Sequence, residues 1–264
     1  MRTAHRNILS ILFIFIITTP VQAVRSLLET NLEEINHHQA GVSAALIMGD
    51  DTLLKRGRIA VSGNAHVSSW GQDALYGAWG LSLQAGIGRN LGVGLSYGYT
   101  DAQLHTRAWL LNVRYLPLSG SVPWLQLQAA VGHRFLDPSE SGNVVIFEFD
   151  NPWPIQPGNP EILLDDMTWT QGHLNVVVST QLWKFRPQAS LGYVLSHYSW
   201  SGHEVPAFGG LSAGLGPALS DSGNTGTRTW TLGTGLDLGP VRPFAGLGVF
   251  TDGVLLLARM TLIF

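Results

Sequence analysis

The sequence predicts an all-β fold, a transmembrane antiparallel up-and-down β-barrel of about ten strands. The first observation is alternation with a period of two: in 91–100, leucine, valine and tyrosine alternate with glycine, serine and threonine. The second is the charged fraction, only 12% of 264 residues, against about 25% in an average soluble domain. A barrel wall that faces lipid needs no charged coat, so one architecture accounts for both observations.

The N-terminus has the order of residues found in a secretory signal peptide. Arg2 and Arg6 precede the apolar run 8–17, and small residues follow up to Ala23. The run has roughly ten apolar residues, too few for a membrane-spanning helix, which needs about 20. We therefore predict a signal peptide over 1–23, a periplasmic N-terminal lead-in over 24–52 and a transmembrane barrel over 53–264. The predicted location is the outer membrane of a Gram-negative bacterium.

Alternation and turn residues predict ten strands, at 55–67, 76–87, 91–101, 105–116, 122–135, 167–182, 185–199, 227–238, 240–251 and 254–264. The two long connections, 136–166 and 200–226, then fall at the same end of the barrel, as expected of outer loops, and the even count puts the N-terminus at the periplasm. Segment 41–49 could form another strand and raise the total to twelve, and 24–40 is typical of a lead-in or a short helix. A soluble lipocalin-like barrel also has alternating strands, but the glycine-rich, weakly charged second face would make a poor surface in water.

The C-terminal strand carries a family resemblance. Met260, Leu262 and the terminal Phe264 lie on one face and alternate with Arg259 and Thr261. This pattern resembles the closing strand of bacterial outer-membrane barrel proteins. The resemblance implies that Phe264, Leu262 and Met260 form a signal read by the barrel assembly machinery, and it implies no particular activity.

Charged residues on the predicted inner face suggest a function. The candidates for the lumen are Arg58, Arg114, Arg134, Asp237, Arg242 and Arg259. One hypothesis is an electropositive constriction that selects anionic or zwitterionic solutes, as in a narrow, porin-like channel or a solute-binding barrel. The other is a network of salt bridges and hydrogen bonds that plugs the barrel, and the sequence leaves both open.

Two further patterns suggest an enzyme. His197 and Ser199, with Glu204 to orient the imidazole, could attack a lipid ester; this resembles the His-x-Ser motif of outer-membrane lipid A deacylases. The family typically has Asn after the serine and one strand remaining, whereas Trp200 follows here and about three strands remain. These residues would equally suit an aromatic girdle. An omptin-like protease, another ten-stranded class, would use acids and a histidine at the outer rim, where the candidates by position are Asp165, Asp166, His203 and Glu204.

The composition limits the partners that we expect. The chain has no cysteine, which excludes a disulfide framework and a thiolate metal site, and its net charge of −3 gives no reason to expect nucleic acid. We expect no metal, no cofactor and a monomer. Outer-membrane lipids and lipopolysaccharide are the expected partners, since Arg107 and Arg228 lie on the apolar face near the outer rim. The sequence favours a non-catalytic narrow channel or solute-binding barrel, with a lipid hydrolase or a structural or adhesive barrel as alternatives.

Overall fold

A computed structural model describes residues 29–48, 56–70, 74–101, 104–117, 124–140, 143–148, 161–204, 218–251 and 253–264. The predicted signal peptide lies outside these ranges. No helix within them is long and apolar enough to cross a bilayer.

Ten antiparallel strands close into a barrel, which confirms the predicted fold class. Its strands are β2 (Ile59–Trp70), β3 (Ala74–Gly86), β4 (Leu91–Asp101), β5 (Thr106–Tyr115), β6 (Trp124–Leu136), β8 (Glu161–Ser179), β9 (Phe185–Glu204), β10 (Ala218–Leu236), β11 (Val241–Phe250) and β12 (Gly253–Ile263). Neighbours in sequence pair with each other, β6 pairs with β8, and β12 pairs with β2 to close the ring. Closure leaves no sheet edge exposed to lipid. Four further described elements do not take part in this ring: β1 (Glu29–Asn31), α1 (Leu32–Ala45), a 3-10 helix (Pro138–Glu140) and β7 (Asn143–Glu148).

The predicted alternation matches the two faces of the wall. In β5, Trp109, Leu111 and Val113 are exposed on the outside, whereas Leu110 and Asn112 are buried inside. The same alternation extends around the ring, so that large apolar side chains form a continuous outer belt. A belt of this kind suits a wall in contact with acyl chains.

The connections differ between the two ends of the barrel. The turn end has the short connections 87–90, 116–123, 180–184 and 237–240, and there Phe264 pairs with Ile59 through backbone hydrogen bonds. The loop end has both long connections, 137–160 and 205–217, together with three short ones. Their placement at one end, predicted from the sequence, is confirmed.

Helix α1 lies inside the barrel. Every residue from Ile35 to Met48 is buried, and the helix hydrogen-bonds to inward-facing side chains of β2, β5, β6, β8 and β10. Residues 32–48 of the predicted periplasmic lead-in (24–52) therefore lie inside the barrel, and the short helix suggested within 24–40 is present. The suggested strand at 41–49 is wrong, since the helix continues to Ala45 and a turn follows. The wall surrounds α1 on all sides and forms hydrogen bonds with its polar residues. The helix can therefore be buried without an apolar stripe, and an apolar stripe is the pattern by which a sequence predicts a buried helix.

The chain enters the lumen from the loop end. Strand β1 pairs in parallel with β7, which follows β6 and pairs with the first residues of β8 at that end. Helix α1 then runs towards the turn end, where β2 begins. The even strand count correctly places the start of β2 at the turn end, but residues 29–31 lie at the opposite end because the chain passes through the barrel first.

Strands β8, β9 and β10 are much longer than predicted, with 19, 20 and 19 residues. They extend past the other strands at the loop end. On the outward face of β9, His197, Ser199 and Ser201 take the place of the apolar Leu191, Tyr193 and Leu195 that lie nearer the turn end. The predicted ranges stopped early because this part of the wall has no apolar outward face.

Candidate functional site

An apolar cap closes the lumen at the loop end. It consists of inward-facing side chains of the wall packed around Ile35 of α1: Tyr76, Leu104, Leu136, Ile162, Leu164, Met167, Trp169 and Trp200. The Trp169 indole N–H donates to Asn36 Oδ1 at 2.7 Å. The start of the helix is therefore fixed by packing and by a buried hydrogen bond.

Arg134 of β6 holds the middle of α1. Its side chain is 1% exposed, and it donates hydrogen bonds to Ser43 Oγ at 2.9 Å and Gln39 Oε1 at 3.0 Å on the helix. It also donates to Thr100 Oγ1 and Thr106 Oγ1 on the wall. A buried charge is tolerated when its donors are satisfied. The guanidinium thus joins α1 to β4, β5 and β6.

Arg259 of β12 holds the C-terminal end of α1. Its guanidinium and the Asn64 amide both donate to the carbonyl oxygen of Leu46. A cation at this end is favourable because the last carbonyls carry the negative end of the helix dipole. Gly80 and Gly98 leave room for the Leu46 side chain, since a Cβ on either would lie 2.5 or 2.6 Å from its Cδ2.

The lumen below α1, which we call the turn-end lumen, is lined by polar and basic residues. Arg114 donates to Gln84 Oε1 at 2.8 Å, and the Arg186 guanidinium lies 5.3 Å from the centroid of the Trp124 ring. Polar atoms of Asn112, Gln126, Gln188 and Thr231 are buried without a hydrogen-bond partner in the protein. No Asp or Glu is among the buried residues of the described barrel strands. Buried polar groups of this kind are normally satisfied by water or a ligand.

The six predicted lumen residues do not form one constriction. Arg114, Arg134 and Arg259 face inward and are buried, but two of them hold α1. Arg58 is exposed ahead of β2, and Arg242 forms an ion pair of 3.4 Å with Asp237 at the turn end. Arg186 and Gln188 were missed, although the outward Leu191 and Tyr193 already implied that even-numbered residues of β9 face inward.

Comparisons with solved structures show similar barrels. The outer membrane protease OmpT of Escherichia coli is 9% identical, with a TM-score of 0.50 over 81% of this chain and 99% of that chain. The translocator domain of the autotransporter NalP of Neisseria meningitidis is 10% identical (TM-score 0.48, 86% and 94% covered), and OprG of Pseudomonas aeruginosa is 12% identical (0.39, 80% and 97%). No protein-family model and no curated protein matches. OmpT and this chain share a fold, and the outer belt suits a lipid environment. The chain has the fold of an outer-membrane β-barrel.

The hydrolase candidates lie on the outer wall of the barrel. His197 and Ser199 both face outward, as predicted, on the part of β9 that extends at the loop end. The imidazole Nδ1 donates to Asn224 Oδ1 at 3.1 Å, so an amide from β10 orients the ring. A carboxylate in that position would stabilise an imidazolium more strongly. Hydrolysis stays a hypothesis, for which loss of lipid A acyl chains with the wild type but not with Ser199→Ala is the test.

The residues that suggested a protease form an acid–histidine pair. A β-bulge between Leu164 and Asp166 releases Asp165 from the ladder, and His203 Nδ1 lies 2.9 Å from Asp165 Oδ2. Asp101 and His105 make a second such pair, of 2.7 Å, at the loop ends of β4 and β5. Both pairs are part-exposed, and at the loop ends of the strands they can equally fix the local backbone. The protease interpretation stays a prediction.

Proposed function

We propose that this outer-membrane barrel is plugged at rest and binds small anionic or zwitterionic solutes in its turn-end lumen. The observation that carries the proposal is the position of α1, which Arg134 and Arg259 hold across the loop-end half of the lumen. Solutes would then enter from the turn end. The proposal selects the solute-binding interpretation over an open, porin-like channel.

The chemistry of the turn-end lumen supports anion binding. Arg114 and Arg186 are buried on the inner face of the wall and bring two guanidinium groups to the turn-end lumen. The unpaired side-chain N–H groups of Asn112 and Gln126 and the Thr231 hydroxyl provide further donors. A guanidinium binds carboxylate or phosphate oxygens through two parallel hydrogen bonds, so these two classes of anion fit best.

Planar-bilayer conductance of the full mature chain tests the plug. We expect no steady current through the wild type. Arg134→Ala removes four hydrogen bonds, and Gly41→Leu places a side chain where Phe250 already lies 2.5 Å from a Cβ; both should produce openings. Arg58→Ala, which changes an exposed residue, is the matched control. Steady current through the wild type would contradict the plug.

Ligand-induced stabilisation tests solute binding. Phosphate or succinate, compared with chloride at equal ionic strength, should raise the unfolding temperature of the wild type, because a ligand that binds only the folded state stabilises it. Arg114→Gln should reduce the shift, and Arg58→Gln should leave it unchanged. Equal shifts in all three proteins would exclude the turn-end lumen as the binding site.

A further inference from the structure

The outward faces of β9 and β10 both change from apolar to polar residues towards the loop end. On β9, Leu191, Tyr193 and Leu195 are followed by His197 and Ser199. On β10, the change occurs at Arg228, directly opposite Tyr193 in the ladder. Arg228 lies eight residues from the turn end of β10, or about 20 Å in height at the usual rise and tilt of strands. Because the apolar band of such barrels is about 25 Å tall, Arg228 lies near the polar headgroups of the membrane half at the loop end.

Arg228 has an uncompensated charge at this level. Its side chain is exposed, and no carboxylate among the described residues forms an ion pair with it. Arg107, eight residues from the turn end of β5 and also on the outside, differs because its Nε lies 2.6 Å from Asp137 Oδ2. Of the two arginines that suggested a contact with lipid, only Arg228 is available to an external anion.

A groove of about 790 Å³ starts at Arg228 and extends over the outer wall towards the turn end of β5. Its floor includes Ala129, Leu174 and Val176, and Tyr193 and Trp230 lie at the Arg228 end. The small Ala129 contributes to the depression between larger neighbours. A concave apolar surface of this size accommodates hydrocarbon chains better than a flat wall does.

We propose that this groove is a specific binding site for the phosphorylated, acylated lipid A portion of lipopolysaccharide. A phosphate would bind the Arg228 guanidinium with the Tyr193 hydroxyl nearby, and an acyl chain would lie along Leu174 and Val176. Charge complementarity identifies the occupant: a cation without a counter-ion meets the anionic headgroups, and the groove beside it is apolar. Long loops lie outside in bacterial barrels, so this half of the wall faces the outer leaflet, where lipid A is found. The site lies on the outer wall and does not depend on the lumen.

Native mass spectrometry of the full mature chain tests the proposal. The barrel, in a mild detergent, is mixed with lipid A or with phosphatidylglycerol at equal concentrations, and bound lipid per barrel is counted. We expect the wild type to retain lipid A, and Arg228→Ala to retain about tenfold less, as the loss of a charge-assisted hydrogen bond implies. Arg107→Ala, the matched control, should behave as the wild type, and Arg228→Lys should recover part of the binding. Ala129→Phe, which fills the floor, should lower retention while keeping the charge.

Several outcomes would overturn the proposal. One is that Arg228→Ala retains as much lipid A as the wild type does. Another is that the wild type retains phosphatidylglycerol and lipid A equally. A third is that the chain forms a dimer in which a second copy, and no lipid, covers the groove. Retention of the heat-resistant mobility of folded barrels on electrophoresis shows that a variant has folded, and Arg228→Lys provides a second test if Arg228→Ala does not fold.

Discussion

Arg134 is fully buried, yet each of its hydrogen bonds ends on a neutral oxygen. Alternation along β6 predicts that its side chain faces the lumen, and this is correct. Its partners on α1, however, are 91 and 95 residues away in the sequence. No local pattern connects them, so the sequence could place the charge in the lumen but could not decide between a pore lining and a support for the plug. The same limit applies to Arg259, whose partner is a backbone carbonyl.

Asp137, just beyond β6 at the loop end, gives a pH-dependent prediction. Hydrogen bonds from the Ser139 backbone N–H and from Arg107 hold the pKa of Asp137 below its ordinary value of 3.8. A depressed pKa stabilises the fold at pH values above the ordinary pKa, and the contribution is lost as the pH falls through the depressed one. Asp137→Asn should therefore lower the unfolding temperature modestly near neutral pH and leave it unchanged in strong acid. Asp166→Asn, at an exposed residue, is the control, and an equal effect of Asp137→Asn at both pH values would contradict the prediction.

The bounds of the strands and helices were predicted correctly where one face of a strand meets lipid, and incorrectly elsewhere. Strand β4 has the predicted bounds, because its outward leucine, valine and tyrosine side chains alternate with small residues throughout. The loop-end parts of β8 to β10 have polar outward residues, and α1 has polar and small residues around its whole circumference. The loop-end parts of these strands and α1 are held in place by contacts with residues distant in the sequence. Neither has the amphipathic pattern on which sequence prediction depends.

The position of the membrane boundary can be measured by thiol labelling, since the chain has no native cysteine. Ser199→Cys lies above the apolar belt on β9, and Leu191→Cys lies within it, eight residues lower on the same face. A membrane-impermeant maleimide should label Ser199→Cys at least about tenfold faster in liposomes, because thiol in hydrocarbon is inaccessible to a charged reagent. Equal rates would mean that the boundary lies elsewhere. Labelling of both after solubilisation and unfolding checks that each thiol is intact.

As a whole, the molecule is a barrel whose own N-terminal segment occupies its lumen. Strand β1 pairs with β7 at the loop end, α1 descends through the lumen, and β2 starts at the opposite end. Hydrogen bonds to α1 come from five different strands of the ring, so the helix and the wall stabilise each other. Both proposed sites are compatible with a lumen that α1 closes. The solute site lies in the turn-end lumen, below α1, and the lipid site lies on the outer face of the wall.

The most direct test of the helix in the lumen is a cross-link between α1 and the wall. His37 Nδ1 lies 2.9 Å from Thr227 Oγ1 on β10, and Ser62 Oγ lies 2.9 Å from Thr261 Oγ1 across the β2–β12 seam. In the full mature chain, a short thiol-specific cross-linker should join the His37→Cys/Thr227→Cys pair and, as a folding control, the Ser62→Cys/Thr261→Cys pair. It should not join His37→Cys to Thr231→Cys, lower on the same strand. A cross-linked seam without any link between residues 37 and 227 would contradict the position of the helix.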